Sequence, residues 1–187
     1  MKPQLLYFLG SPGAGKSTLV KALKSGHNLW GLSRPFAHTY IECGDRNVVE
    51  LGRDREAFSG TDALSMSVLP KVLAQCQMEP WELLLGEGDR LATSKFFGPM
   101  RSYGYRVQVV YLDPPSDTLQ AWRDRRAGEI GKAQDPTWVS GRSTKHQRLA
   151  SDENAYVITD VDLEDRLAAL RELGNPVVEA LMNKGNA

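Results

Sequence analysis

LLYFLGSPGAGKST, at residues 5–18, is the most informative stretch of the sequence. Its first five residues are apolar, which is typical of a strand buried in the centre of a parallel sheet. The stretch then matches the pattern G-x-x-x-x-G-K-[ST], with Gly10, Gly15, Lys16 and Ser17 at the defining positions. A glycine-rich turn between a strand and a helix can be purely structural. The complete pattern in this position nevertheless predicts a loop that binds phosphate groups.

The residue types of this loop suit a nucleoside triphosphate. Glycines allow the backbone to turn so that successive N–H groups point at phosphate oxygens, and the following helix adds the positive end of its dipole. Lys16 is expected to contact the β- and γ-phosphates, and the Ser17 hydroxyl is expected to bind Mg²⁺. The predicted nucleotide-binding residues are Gly10, Ser11, Pro12, Gly13, Ala14, Gly15, Lys16, Ser17 and Thr18.

The chain length predicts one domain over residues 1–187, and we expect a monomer or a homodimer. The chain has 23 basic and 23 acidic side chains, so its formal net charge is zero. This balance argues against strong nonspecific binding to nucleic acids, although it does not exclude a local basic patch. The two cysteines lie far apart, and neither a signal peptide nor a membrane-length apolar run is evident. These features predict free thiols and a cytoplasmic location without a membrane partner.

Five apolar segments alternate with helical patterns along the chain. The predicted strands cover residues 4–9, 37–43, 81–86, 105–112 and 156–159. The predicted helices cover residues 17–25, 70–77, 90–97, 117–126, 141–154, 163–173 and 176–182, and residues 28–35 are predicted to form a loop. Alternation on this scale predicts a three-layer α/β/α fold around a five-stranded parallel sheet.

The segment GRDREAFSGTDALSM, at residues 52–66, has two interpretations. It can be a polar loop followed by a helix that begins at residue 63 and is capped by Thr61 or Asp62. It can also be an acceptor site, because arginines bind anionic groups, a phenyl ring stacks on a base and a carboxylate accepts a proton. We favour the second interpretation, in which the candidate substrate residues are Arg53, Arg55, Phe58 and Asp62.

Two carboxylates follow the third predicted strand. Glu87 and Asp89 stand where phosphate-loop enzymes place the acidic residue that faces Mg²⁺, at the edge of the sheet where ligands bind. The sequence does not rank them: one can act on the metal and the other as a general base, although Asp89 can also simply cap the next helix. Ser17 and Asp89 are the candidate metal residues. Arg90 is a candidate for binding the substrate, with a surface ion pair as the alternative.

A basic segment follows the fourth predicted strand. From residue 123 to residue 148 there are seven basic and three acidic residues, and residues 127–140 show no apolar periodicity. A mobile lid over residues 123–148 fits this composition, because it would exclude water and bring arginines to the transferring phosphoryl group. The arginines expected to do so are Arg123, Arg126 and Arg142.

Three classes of phosphate-loop protein compete. A GTPase switch would carry an Asn/Thr-Lys-x-Asp signature, which this sequence lacks. An ATPase motor would have no use for an acceptor site. A kinase is therefore favoured, with ATP and Mg²⁺ as the expected nucleotide and metal. Its predicted catalytic residues are Lys16, Glu87, Asp89, Arg123 and Arg126.

The phosphate loop, the EGDR run at residues 87–90, the LDP run at residues 112–114 and the arginines before the lid resemble the nucleoside and nucleotide kinase group, thymidylate kinase included. Within that group, the segment at residues 52–66 resembles bacteriophage kinases that phosphorylate 5-hydroxymethyluracil in DNA. The resemblance implies an enzyme of thymidine hypermodification, encoded by a phage and acting in the host cytoplasm. Ordinary thymidylate kinases carry an Asp-Arg-Tyr/His-type motif where this chain has EGDR, which argues against free thymidylate as acceptor.

Two kinds of acceptor remain open. A hydroxymethyl group needs a carboxylate to take its proton, and Glu87, Asp89 or Asp62 would serve. A free nucleoside monophosphate needs no base, but it needs arginines to hold it, for which Arg53, Arg55 and Arg90 are available. A base in a duplex must be flipped out or presented single-stranded. The neutral net charge is the main argument against DNA as substrate.

Overall fold

The computed structural model describes residues 2–54, 59–131 and 133–183. Within these residues the strands are β1 Gln4–Gly10, β2 Asn28–Leu32, β3 His38–Cys43, β4 Arg46–Leu51, β5 Leu83–Glu87, β6 Arg106–Leu112 and β7 Tyr156–Ile158. The helices are α1 Lys16–Lys24, α2 Leu69–Met78, α3 Ser94–Ser102, α4 Ser116–Ile130, α5 Pro136–Asp152, α6 Leu163–Glu172 and α7 Pro176–Met182, with a short 3₁₀ helix at Gly60–Ala63.

The strands form one mixed sheet in the order β2-β3-β4-β5-β1-β6-β7. The five strands from β4 to β7 in this order are parallel, whereas β3 runs antiparallel to both of its neighbours. The sheet is therefore larger than the five strands expected, and it is not all parallel. Because parallel strands end at the same edge, the residues that follow β1 and β5 meet there.

Two errors in the sequence prediction explain this difference. The predicted second strand, residues 37–43, corresponds to the antiparallel strand β3, and the parallel strand β4 beside it was missed. A two-residue turn joins them, in which Gly44 has a φ of +68°, as hairpin turns often require. Residues 28–35 were predicted as a loop, but they contain β2, an edge strand that is exposed along its whole length and so lacks the usual apolar alternation.

Helices cover both faces of the sheet, as the three-layer prediction requires. One face packs against apolar residues of α2, α3 and α5, and the other against α1, α6 and α7. The central strand β1 is buried at every position. The sheet with its two helical layers thus places the loop after β1 at the carboxyl edge of a rigid core.

The segment at residues 123–148 is more regular than its sequence suggests. Residues 127–140 were expected to lack structure, but α4 continues to Ile130 and α5 begins at Pro136. Asp135 caps α5, since its carboxylate accepts a hydrogen bond from the Trp138 backbone nitrogen at 2.7 Å. The missing periodicity has a physical reason: most residues of α4 are exposed, so the helix has no broad buried face.

Two other helix starts also differ from expectation. The helix expected from residue 63 is only the 3₁₀ turn Gly60–Ala63, in which neither Thr61 nor Asp62 acts as a helix cap. The helix expected at residues 90–97 begins later, at Ser94, so Asp89 is not its cap. Asp62 and Asp89 are therefore available for other contacts at the edge of the sheet.

Candidate active site

The phosphate loop joins β1 to α1. Its glycines Gly10, Gly13 and Gly15 all have positive φ values, of 149°, 87° and 86°. A side chain at Gly10 would place its Cβ 2.8 Å from the Leu112 carbonyl oxygen, so only glycine fits there. The Lys16 ammonium donates to the carbonyl oxygens of Gly10 at 2.7 Å and Ser11 at 3.1 Å. Burial lowers the pKa of Lys16, which Glu87 opposes.

Two arginines from outside the loop hold its backbone. Arg123 Nε donates to the Pro12 carbonyl at 2.8 Å, and Arg166 Nη1 donates to the Ala14 carbonyl at 2.9 Å. Arg166 is 3% exposed and lies over the Trp122 ring at 5.2 Å. Its Nη2 atom is buried and has no hydrogen-bond partner in the described part of the chain. The loop is thus pre-shaped by contacts with α4 and α6.

Glu87, at the end of β5, faces the beginning of α1. Its Oε1 atom accepts a hydrogen bond from Ser17 Oγ at 3.1 Å, and Ser59 Oγ lies 2.8 Å from both Glu87 Oε1 and Ser17 Oγ. A side chain at Gly60 would collide with Glu87, since its Cβ would lie 2.6 Å from Oε1. Hydroxyl and carboxylate oxygens are the ligands that Mg²⁺ prefers, so this donor set fits the expected metal.

Asp89 lies two residues further on, among cationic side chains of α5. Lys145 Nζ donates to its Oδ1 at 2.9 Å and to its backbone oxygen at 3.2 Å. Arg142 forms an ion pair with its other carboxylate oxygen, Oδ2. His146 Nε2 lies 3.0 Å from Oδ1. The structure therefore separates the two acids that the sequence could not rank, with Glu87 beside Ser17 and Asp89 beside the second helix of the lid segment.

Asp62 anchors the loop that carries Asp89. Its Oδ1 atom accepts hydrogen bonds from the backbone nitrogens of Asp89 at 2.8 Å and Arg90 at 3.2 Å. Two hydroxyl groups complete this attachment: Thr61 Oγ1 donates to the Glu87 carbonyl, and the Tyr7 hydroxyl donates to the Gly88 carbonyl. These bonds fix the backbone between the two acids.

A cavity of about 900 Å³ connects these groups. The phosphate loop lines it together with Trp122 of α4, Leu163 and Arg166 of α6, and Asp62, Asp89, Arg90, Trp138 and Arg142. The basic residues in its lining are Lys16, Lys21, Arg90, Arg125, Arg126, Arg142 and Arg166, and the acidic ones are Asp62, Glu87, Asp89 and Glu129. The cavity therefore has a positive excess although the chain as a whole is neutral.

Several predicted site residues lie elsewhere. Arg53 does not line this cavity; its guanidinium donates to the Leu32 carbonyl at 2.9 Å and to Ser33 Oγ at 2.7 Å. Arg123 donates to the Pro12 carbonyl of the phosphate loop and also does not line this cavity. Arg55 and Phe58 fall outside the described residues.

Three residues of the site were not predicted from the sequence. Ser59 lies in the polar segment that was considered, but nothing in its pattern marks it. His146 and Arg166 stand alone on helical patterns, where an isolated histidine or arginine carries no motif. Their positions follow from tertiary packing, which brings α5 and α6 against the phosphate loop.

Comparison with protein families decides the class of this site. The family model described as P-loop Nucleotide Kinase3 matches residues 1–160. The chain belongs to this family. A P-loop nucleotide kinase is a phosphotransferase, so the kinase assignment is confirmed and the ATPase and GTPase alternatives are set aside. No curated protein sequence gives a significant match to this P-loop nucleotide kinase.

Solved structures give only a distant likeness. A gluconokinase from Sinorhizobium meliloti 1021 has 13% identity, with 91% of this chain and 93% of that chain covered and a TM-score of 0.49. A protein described as APE1195 has 14% identity, with 96% of both chains covered and a TM-score of 0.45.

Among the described residues, no helix of this kinase is both long and apolar enough to cross a membrane.

Proposed function

We propose that this kinase transfers the γ-phosphate of ATP to the hydroxymethyl group of 5-hydroxymethyluracil in DNA. The observation that carries the proposal is the position of Asp89, a carboxylate in the cavity lining that Lys145 and His146 hold beside the phosphate loop. A hydroxyl acceptor needs a base at that point, whereas a phosphate acceptor does not. The site itself supports a hydroxyl group as the acceptor. The choice of 5-hydroxymethyluracil as the nucleobase that carries this hydroxyl rests on the resemblance to phage enzymes.

The part of the cavity beside the phosphate loop suits a bound nucleoside triphosphate, the phosphate donor. Lys16 would contact the β- and γ-phosphates, and Arg126 and Arg142 would neutralise charge on the transferring group. Ser17 and Glu87, rather than the Asp89 expected from the sequence, would hold Mg²⁺, and the metal would supply neutralisation of phosphate charge. Arg123 would act indirectly, since it holds the Pro12 carbonyl and so the shape of the loop.

The reaction would proceed by direct displacement. The acceptor oxygen forms a bond to the γ-phosphorus as its proton passes to the Asp89 carboxylate, and the bond from the γ-phosphorus to the bridging oxygen of ADP breaks. Asp89 releases the proton to solvent after the product leaves. Arg142, which pairs with Asp89 Oδ2 before substrate binds, would turn to the phosphates and free that oxygen.

The position of Arg53 weakens the case for a free monophosphate as acceptor. Arg53 was expected to hold an acceptor phosphate, but its guanidinium is bonded at the β2 end of the sheet. Arg55 falls outside the described residues. Arg90 lines the cavity and stays a candidate for binding either acceptor.

A nucleic-acid acceptor is consistent with the surface beside Asp89. Trp138 is 45% exposed, and the Arg142 guanidinium lies 5.5 Å from its ring centroid. An exposed indole can stack on an unpaired base, and arginines and lysines can contact the flanking phosphates. A base presented in single-stranded or flipped form would reach Asp89 past this rim. The positive excess of the cavity offsets the argument from the neutral net charge.

The test is phosphate transfer from γ-labelled ATP to matched acceptors. Two DNA strands of the same sequence, one with 5-hydroxymethyluracil and one with thymine, differ only in the hydroxyl group. A panel of free nucleosides and deoxynucleoside monophosphates is assayed in parallel. Label confined to the hydroxymethyluracil strand supports the proposal. Label in a free monophosphate would refute it, and would assign Arg90 and Arg142 to an acceptor phosphate.

A further inference from the structure

His146 is a buried imidazole at the junction of three parts of the site. It lies on α5, is 2% exposed, and touches both the first residue of the phosphate loop and the carboxylate of Asp89. Its Nε2 atom lies 3.0 Å from Asp89 Oδ1, and its Nδ1 atom lies 3.2 Å from the Gly10 nitrogen and 2.8 Å from the Gly10 oxygen. The side chain thus spans the gap between β1 and β5 at their carboxyl ends.

The surroundings of the ring determine which nitrogen carries hydrogen. Nε2 faces a carboxylate oxygen, which only accepts hydrogen bonds when ionised, so Nε2 must carry a proton. Nδ1 lies 3.2 Å from the Gly10 nitrogen and 2.8 Å from the Gly10 oxygen. It therefore accepts from the Gly10 N–H when the ring is neutral, and donates to the Gly10 carbonyl when both ring nitrogens carry hydrogen. The opposite tautomer would turn the Nε2 lone pair towards the Asp89 carboxylate.

We propose that His146 is a positioning residue that sets the Asp89 carboxylate relative to the phosphate loop. The proposal rests on the proposed function, in which Asp89 accepts the proton of the acceptor hydroxyl. His146 holds Oδ1 through its Nε2–H, together with Lys145, which leaves Oδ2 for the acceptor once Arg142 has moved. His146 also fixes the position of the Asp89 carboxylate relative to Gly10. The general base and the bound nucleotide therefore keep one relative geometry.

The contacts around His146 distinguish this role from that of an ordinary core histidine. His38 has a similar burial, at 3%, but its Nδ1 faces the Phe36 carbonyl two residues away and its ring packs against Phe36 and Trp81. His146, in contrast, bonds to residues 136 and 57 positions away, and both belong to the candidate active site. His38 therefore provides a matched control for loss of a buried imidazole.

A pair of substitutions separates the two contacts of the ring. His146→Asn keeps a polar group near the Nδ1 position, which faces Gly10, but removes the ring's donor to Asp89 and leaves Lys145 as the donor to Oδ1. His146→Gln reaches the Nε2 position with an amide N–H and restores that donor. On whichever acceptor the wild-type protein phosphorylates, we expect His146→Asn to lower kcat about 10- to 100-fold with the KM for ATP within about threefold, since small displacements of a reacting group have costs of this size.

The glutamine variant decides between positioning and plain packing. We expect His146→Gln to recover kcat to within about fivefold of wild type, and His38→Asn to lower Tm without lowering kcat. A kcat for His146→Gln as low as that for His146→Asn, or a wild-type kcat for His146→Asn, would overturn the inference.

A spectroscopic measurement separates this inference from the proposed function. Long-range ¹H–¹⁵N NMR spectra distinguish the tautomers of the chain's three histidines, and the His146→Asn spectrum assigns the signal of interest. A protonated Nε2 in the wild-type protein supports the contact with Asp89, even if no hydroxymethyl acceptor is phosphorylated and the proposed function fails. A ring protonated only at Nδ1 would overturn the inference, even if DNA is phosphorylated.

Discussion

Replacing Asp62 by alanine tests how the structure holds the loop that carries Asp89. The Asp62 carboxylate accepts two backbone hydrogen bonds, from Asp89 at 2.8 Å and from Arg90 at 3.2 Å. Hydrogen bonds to a charged group contribute about 1.5–3 kcal/mol each, and the second of these is long and the side chain only partly buried. We therefore expect Asp62→Ala to reduce the free energy of unfolding by about 2–4 kcal/mol.

The same substitution should slow catalysis, because it frees the backbone next to Asp89. We expect kcat to fall about 10- to 100-fold in Asp62→Ala. Asp62→Asn retains an oxygen that accepts both N–H groups, so it should lose only about 1–2 kcal/mol and keep most of the activity. Asp117 is a matched control: its exposed carboxylate accepts one backbone N–H, from Thr118, and Asp117→Ala should cost less than about 1 kcal/mol.

The test is urea unfolding and steady-state kinetics of the wild-type protein, Asp62→Ala, Asp62→Asn and Asp117→Ala. The anchoring role would be refuted if Asp62→Ala were as stable and as active as Asp117→Ala. A different result would also be informative: if Asp62→Asn were stable but as inactive as Asp62→Ala, the charge of Asp62 would itself be needed in the reaction. Asp62 would then be the general base that the sequence left open.

Three further predictions follow from other contacts. Lys16→Ala should lower phosphate transfer at least about 100-fold without lowering Tm, since it removes one electrostatic stabiliser of the transferring group; an unchanged rate would contradict the kinase site. Glu87→Gln should raise the Mg²⁺ concentration needed for half-maximal activity about 10-fold or more; an unchanged Mg²⁺ titration would show that Glu87 does not hold the metal. Lys24→Met should cost about 3–5 kcal/mol in urea unfolding at pH 8, because Lys24 and Glu50 form a buried pair at 2.6 Å. Burial raises the pKa of Glu50 to about 7, so the loss should shrink at pH 6, and adding Glu50→Gln should recover most of it; a single variant as stable as wild type would contradict the buried pair.

Local patterns in the sequence sufficed to locate the phosphate loop. The apolar run, the glycines and Lys16 are contiguous, and each has its own conformational or chemical reason to be there. The three-layer fold could also be predicted, because strand and helix patterns alternate along the sequence. The size of the sheet did not follow, because β2 is an exposed edge strand and the turn between β3 and β4 joins two strands into a hairpin that alternation alone does not reveal.

The division of labour between Glu87 and Asp89 depends on contacts that are remote in sequence. Both residues follow β5, and nothing in the run EGDR separates them. The separation comes from Ser17 and Ser59 on one side and from α5 on the other. Pairing of this kind is decided by tertiary packing, so the sequence could identify the candidates but not their partners.

In the proposed reaction, Asp89 takes the proton of a hydroxyl acceptor. Single-turnover phosphate transfer to hydroxymethyluracil DNA, compared between the wild-type protein and Asp89→Asn, tests it most directly. We predict a rate about 10²- to 10⁴-fold lower in Asp89→Asn, with the Kd for ATP within about threefold of wild type. A transfer rate within threefold of wild type would contradict the claim and remove Asp89 from the chemistry.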